Sequence, residues 1–144
     1  IAISSPSWSH SDGPAVGDAD NVIKYRGGVM HTIGANATAI AAILKGDVPH
    51  KDSLAEHARV LALAAGWAND AFHQNTHGQG KEKTTATEDI WNDWDEFSGI
   101  MDDMEKEAQK IATAAEAGDM GAVGASLKPL FKTCKSCHDD FRKK

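Results

Sequence analysis

The sequence predicts an all-α protein, an antiparallel up-and-down four-helix bundle, and three observations lead there. Of the 144 residues 41% are hydrophobic, yet only 6% are aromatic and there is a single tyrosine. Such an alanine-rich, aromatic-poor composition favours helices over sheets. Apolar residues recur at three- and four-residue spacing in four segments, and no stretch alternates convincingly as a strand would. Short turn signals separate the segments, which makes neighbouring helices antiparallel. A chain of this length buries a core as one domain without staples.

The elements follow in order. Residues 1–17, "IAISSPSWSHSDGPAVG", have no helical period and read as an extended arm, with Trp8 as its candidate pin; residues 18–144 form the bundle. The first helix is predicted from about Asp20 to Lys45, with Ile23, Met30, Ile33, Ala37, Ile40 and Leu44 on one stripe. Gly46 caps it and Pro49 forbids continuation. The second runs from about Asp52 to Phe72, with Leu54, Ala58, Leu61, Ala65 and Phe72 facing inward. A polar loop, "HQNTHGQGKEK", follows. In the third, Ile90, Trp94, Phe97, Met101, Met104, Ala108, Ile111 and Ala115 step by four and three, the seam of a bundle helix. "EAGD" makes a tight turn, and Asp119 is placed to cap the fourth helix. There Val123, Leu127, Leu130, Cys134, Cys137 and Phe141 share a stripe, and Pro129 predicts a kink.

Charge and hydropathy exclude some functions. The net charge of −6 speaks against a general nucleic-acid binder. No apolar run approaches the ~20 residues of a membrane span, so no membrane insertion is expected. The chain begins at Ile1 rather than methionine, as it would after removal of an export signal or after trimming. No nucleophile–base pair or acid pair stands out on the predicted faces, so an enzyme is not expected.

The chemistry concentrates in "KTCKSCHDDFRKK". Cys134 and Cys137 are the only cysteines, and His138 follows the second directly. A disulfide between cysteines three apart on a helix closes a tiny loop and contributes little. A thioredoxin-like pair needs a strand feeding a helix, and no such unit is present. A zinc-stabilised helical domain remains as a remote alternative, with His73 and His77 joining the cysteines as a Cys₂His₂ set. Covalent haem attachment is the reading that uses the histidine. Cysteines at i and i+3 leave one helical turn together, where their sulfurs reach two vinyl groups of one haem, and the adjacent histidine faces the iron.

A C-terminal "CKSCHDDFRKK" on the last helix of a bundle resembles the class II c-type cytochromes, the cytochrome c′ family. The resemblance spans about residues 20–144 and includes "IKYRGGVM", "TTATEDIW" and "AAEAGDMGAVGASL". It implies one covalent haem c, with Cys134 and Cys137 as thioether anchors and His138 as proximal iron ligand. It places Arg26 near a haem propionate, Arg142 beside the exposed proximal face, and Thr84 as a haem-contacting loop residue. Gly27 departs from the family, many members of which carry a glutamine there that helps hold a propionate.

The distal side decides between functions. Met30 stands one turn after Arg26 and therefore on the same face. Some family members bind iron through a methionine here and carry electrons; others leave iron five-coordinate and bind nitric oxide or carbon monoxide. The expectation is His/Met ligation and electron transfer, with the high-spin gas-binding form as the alternative. Gly27, Gly28 and Gly34 cost about 1 kcal/mol each in a helix, which a flat macrocycle against the backbone would explain; close helix approach is the plainer account. The resemblance further implies the periplasm, redox partner proteins met through a basic rim (Lys128, Lys132, Lys135, Arg142, Lys143, Lys144), and a homodimer face on the first two helices, although monomers also carry such faces.

Overall fold

The computed structural model describes residues 17–144, so the predicted arm, Trp8 included, lies outside the described residues apart from Gly17. The four predicted segments form the bundle, and two of them are broken. Helix α1 spans Ala19–Lys45, α2 Leu54–Gly66, α3 Ala68–His73, α4 Asp89–Asn92, α5 Trp94–Glu116 and α6 Met120–Phe141. A 3-10 turn at Lys51–Ser53 leads into α2.

Helix ends fall where local chemistry puts them. The Asp18 carboxylate accepts from Asn21 N and starts α1, and Gly46 ends it in the left-handed region at φ +76°. Asp119 accepts from Ala122 N and starts α6. The single helix predicted over 52–72 is instead α2 and α3. Trp67 N bonds to Ala64 O, a tightened turn, beside a glycine that weakens the helix. A Cβ on Gly66 would come within 3.3 Å of Glu105 Oε1 on α5, a carboxylate that would have to move by a few tenths of an ångström. The predicted third helix begins with the separate turn α4, because Asp93 leaves helical geometry at φ −128°, ψ 50°. Helix α6 runs unbroken through Pro129.

Helix α5 packs along both α2 and α6, α1 packs along α2, and α1 meets α6 only briefly. Paired residues give the directions. Asn36 bonds His57 across α1 and α2, Asn69 bonds Asp102 across α3 and α5, and Phe97 meets Phe141 across α5 and α6. Every neighbouring pair of long helices is thus antiparallel. The start of α1, the end of α3, the start of α5 and the end of α6 gather at one end of the bundle.

The core runs from Ile40, Leu61, Ile111 and Val123 at one end to Phe97, Ile90 and Leu130 at the other, all essentially inaccessible. Each large aliphatic side chain so buried contributes about 1.5–3 kcal/mol. The predicted stripes of α2, α5 and α6 are buried, save that Trp94 and Cys134 are half-buried. In α1 the stripe is rotated slightly. Val29 and Ile43 are buried, whereas Met30 and Leu44 flank the core half-buried. Among the described residues, α1 alone is long and apolar enough to cross a membrane, but its buried face belongs to the bundle.

The predicted absence of strands has one small exception. Residues 84–87, ahead of α4, pair with the end of α6 through an isolated antiparallel bridge between Ala86 and Arg142. Thr87 N donates to Phe141 O at 3.0 Å and Lys143 N to Thr85 O at 2.7 Å. This strap ties the last turn of α6 to the loop that enters α4.

Candidate functional site

The gathered end of the bundle holds almost every residue that the sequence singled out. Cys134 and Cys137 leave the same turn of α6, the first half-buried and the second buried, and both thiols are free. Burial raises both, the Cys137 thiol to about 12, so the folded chain presents neutral thiols. His138 is exposed. Partial desolvation, with the nearby Arg142 charge, holds its imidazole below the ordinary histidine value and leaves a nitrogen lone pair free at neutral pH.

Arg26 is the unexpected residue. It is 3% accessible, and among the described residues it pairs with no carboxylate. One guanidinium nitrogen, Nη2, donates to Thr76 Oγ1 at 2.8 Å; the other, Nη1, is buried and has no hydrogen-bond partner among the described residues. Its Cζ lies 4.9 Å from the Phe72 ring centre and 5.4 Å from that of Trp91. Burial lowers its pKa, yet an arginine stays charged in proteins. Aromatic faces return up to about 2 kcal/mol to a desolvated cation, less than the several kcal/mol that burying an ion costs. An orphaned buried cation of this kind asks for an anion.

Aromatic side chains wall this end. Phe97 lies 4.9 Å from Phe72, 5.6 Å from Trp94 and 5.4 Å from Phe141 between ring centres. Trp91 Nε1 donates to Phe72 O at 2.8 Å and so terminates α3. Phe72, Trp91, Thr76, Thr85 and Thr87 were not foreseen as site residues. The aromatics had the signal of large apolar groups in helical register, but polar loop threonines carry none.

The remaining expectations resolve as follows. Thr84 is half-buried, and its Oγ1 accepts from Ala86 N at 3.1 Å, inside the strap that holds α6. Arg142 Nε donates to Thr85 Oγ1 at 3.3 Å. Met30 is half-buried one turn along α1 from Arg26 and packs against the core. Met101 and Met104 are core residues, and Met120 is exposed. A Cβ at Gly27, Gly28 or Gly34 would meet nothing within 4 Å, so close helix packing does not account for these glycines. The zinc reading loses its ligands. His73 stacks edge-on against Trp94 and His77 lies 3.6 Å from Glu88, and no cluster of three metal-ligating side chains forms among the described residues. Lys128, Lys132 and Lys135 of α6 stand exposed, and an acidic hollow lined by Asp89, Asp93, Glu96 and Asp140 opens near the end of that helix.

Two thiols on one turn, an imidazole beside the second, a buried cation with no anion among the described residues and a wall of aromatic rings fit a flat, anionic macrocycle with two vinyl groups and a central metal. Comparison with known proteins points the same way. The family model described as Cytochrome C′ matches residues 21–142. A cytochrome c′ of Rhodospirillum rubrum is 34% identical over 83% of this chain and 80% of its own. The solved cytochrome c prime of Shewanella frigidimarina superposes with a TM-score of 0.80 at 26% identity, covering 90% of this chain and all of that one. A nitric oxide complex of a leucine-to-alanine variant of the Alcaligenes xylosoxidans protein superposes at 0.76 with 25% identity, over 90% and 99% of the two chains.

Proposed function

The chain belongs to the cytochrome c′ family, whose members carry covalent haem c, and from that premise we propose that its haem keeps a distal position open to a small neutral gas. The observation that carries the haem site is the buried Nη1 of Arg26, without a hydrogen-bond partner among the described residues, at the same end as Cys134, Cys137 and His138. The nitric oxide complex of a relative supports the gas-binding reading over methionine-ligated electron transfer.

When bound, haem would supply an iron able to take a ligand from the chain or a gas, and the chain's side chains would decide which. Cys134 and Cys137 would hold the haem as thioethers, each thiol adding whole to one vinyl group, and the His138 imidazole would supply a nitrogen to the iron. Arg26, held by Thr76, neutralises a propionate with a charge-assisted bond. Phe72, Trp91 and Trp94 exclude water from the wall. Met30 then serves as distal packing that sets how easily a gas enters.

The second reading rests on Met30 standing one turn from Arg26, where a thioether would fill the distal position. It gives a low-spin electron carrier of raised potential. The spectrum of the ferric protein separates the two. A high-spin spectrum at neutral pH, with carbon monoxide taken up by the unaltered ferrous protein, is expected; Met30→Ala should then change uptake rate and leave spin state alone. A low-spin wild type that turns high-spin on Met30→Ala would establish ligation and the electron carrier instead. A periplasmic location accompanies either reading, as does docking of a redox partner on the α6 cations. A second copy paired through α1 and α2 is supported by Tyr25, Leu63 and Trp67, which stand exposed there.

A further inference from the structure

The polar loop after α3 is tied to the start of α1 at three places. The Gln74 side chain accepts from Gly17 N at 2.9 Å and donates to Gly17 O at 2.8 Å. Thr76 accepts from Arg26, as described. Farther along, Asp20 Oδ1 accepts from Lys81 N at 2.6 Å and from Glu82 N at 2.7 Å. Lys24 Nζ, one turn on, lies 3.6 Å from the Glu82 carboxylate. The Asp20 contact dictates the residue opposite. Gly80 sits at φ +72°, and a Cβ there would stand 2.2 Å from Asp20 Oδ1. The two amide donors, Glu82 first and then Lys81, hold the Asp20 carboxyl below its ordinary value, with a smaller contribution from Lys24.

These ties have a geometric consequence. Gln74 and Asp20 clamp the two ends of residues 74–82, and Thr76 lies between the clamps. Thr76 is 2% accessible and is the only hydrogen-bond partner of the Arg26 guanidinium among the described residues. A loop threonine holds a guanidinium only as firmly as its loop is held. We propose that Asp20 is a positioning residue for Arg26: its carboxylate fixes the loop that presents Thr76 and so aims the guanidinium at the haem propionate. The inference rests on the reading above that Arg26 faces that propionate.

Two effects of Asp20 on the reduction potential have opposite signs, which makes the proposal testable. As an anion near the haem it favours ferric iron, so deleting it raises the potential by direct electrostatics. As a latch it keeps Arg26 on the propionate, so deleting it leaves the propionate less compensated and lowers the potential. The experiment is a redox titration of the haem-bearing protein as Asp20→Ala, Asp20→Asn and Gly80→Ala, each alone and with Arg26→Met. Asp20→Ala and Gly80→Ala should both lower the potential, and together no further than either alone. Asp20→Asn, which keeps the acceptor oxygen, should recover most of the loss. With Arg26→Met the lowering should vanish. Amide exchange at Lys81 and Glu82 should speed up on the order of ten-fold in Asp20→Ala and not in Asp20→Asn. A potential that rises or stays put in Asp20→Ala, or falls equally with Arg26→Met present, overturns the proposal. Failure of the underlying reading looks different: the wild type would lack covalent haem, or Arg26→Met alone would leave the potential unmoved.

Discussion

Removing Arg26 together with its neutral partner distinguishes a cation that serves a propionate from one that merely sits in the core. In the double variant Arg26→Met/Thr76→Val, apolar side chains of similar shape replace both members of the one hydrogen bond that the guanidinium makes. Thr76 is 2% accessible, so replacing Arg26 alone would strand a buried hydroxyl at about 1–3 kcal/mol and confuse the result. If no anion faces Arg26, replacing a desolvated, half-satisfied ion by well-packed apolar groups is neutral or stabilising by about 1–4 kcal/mol. If a propionate faces it, the change breaks a buried ion pair and costs about 3–5 kcal/mol. Urea unfolding of the haem-bearing protein reads the sign. With a slope of about 2 kcal/mol/M, the account expects the midpoint to fall by roughly 1.5–2.5 M. The potential should fall as well, because an uncompensated propionate favours ferric iron. A midpoint that holds or rises would refute the propionate assignment.

Three further outcomes follow from other parts of the structure. Thr87 Oγ1 donates to Phe141 O at 3.1 Å, and Thr87→Val should cost about 0.5–1.5 kcal/mol in urea unfolding while speeding amide exchange at Lys143; unchanged exchange would deny the strap a role in holding α6. The Asp20 carboxyl is lowered from its ordinary 3.8 in the fold, so its hold on the loop is present above that value and is lost as pH falls below it through the lowered one. Protection of Lys81 and Glu82 amides should decline in that acid window in the wild type and stay flat in Asp20→Asn, Lys24 and Glu82 being the other charges at the contact. Trp67 is 47% and Leu63 55% accessible, and Leu63→Glu/Trp67→Glu should convert a dimer to a monomer by light scattering; a monomeric wild type would remove that pairing.

What the sequence made legible was what periodicity and spacing can carry. The α5 stripe from Phe97 to Ala115 is buried as its four-and-three stepping requires, and Gly46 and Asp119 cap the helices beside them. The Cys134–Cys137–His138 turn is a local pattern, readable without tertiary knowledge. Arg26 was legible as a residue but not in its environment, since only the meeting of α1, α3 and α4 places Phe72, Trp91 and Thr76 around it. The break at Trp67 was hidden because Gly66 costs a helix little alone, and the tightened turn from Ala64 to Trp67 leaves the apolar spacing on either side unchanged. The strap at Ala86 and the latch at Asp20 join residues more than fifty positions apart through backbone groups, which no side-chain pattern announces. Met30 was placed on a stripe whose buried member at that turn is Val29, because one residue of register moves a side chain by 100° around a helix.

The roles proposed for Arg26, Met30 and Asp20 require a haem bonded to Cys134 and Cys137. The mass of the intact wild-type protein, taken after denaturation in acid acetone to strip any unbonded haem, tests that bond directly. Because each thiol adds across a vinyl group without a leaving group, the account predicts the mass of the polypeptide plus one whole haem, with no haem in the extract. A mass equal to the polypeptide alone, with haem or none in the extract, would contradict it.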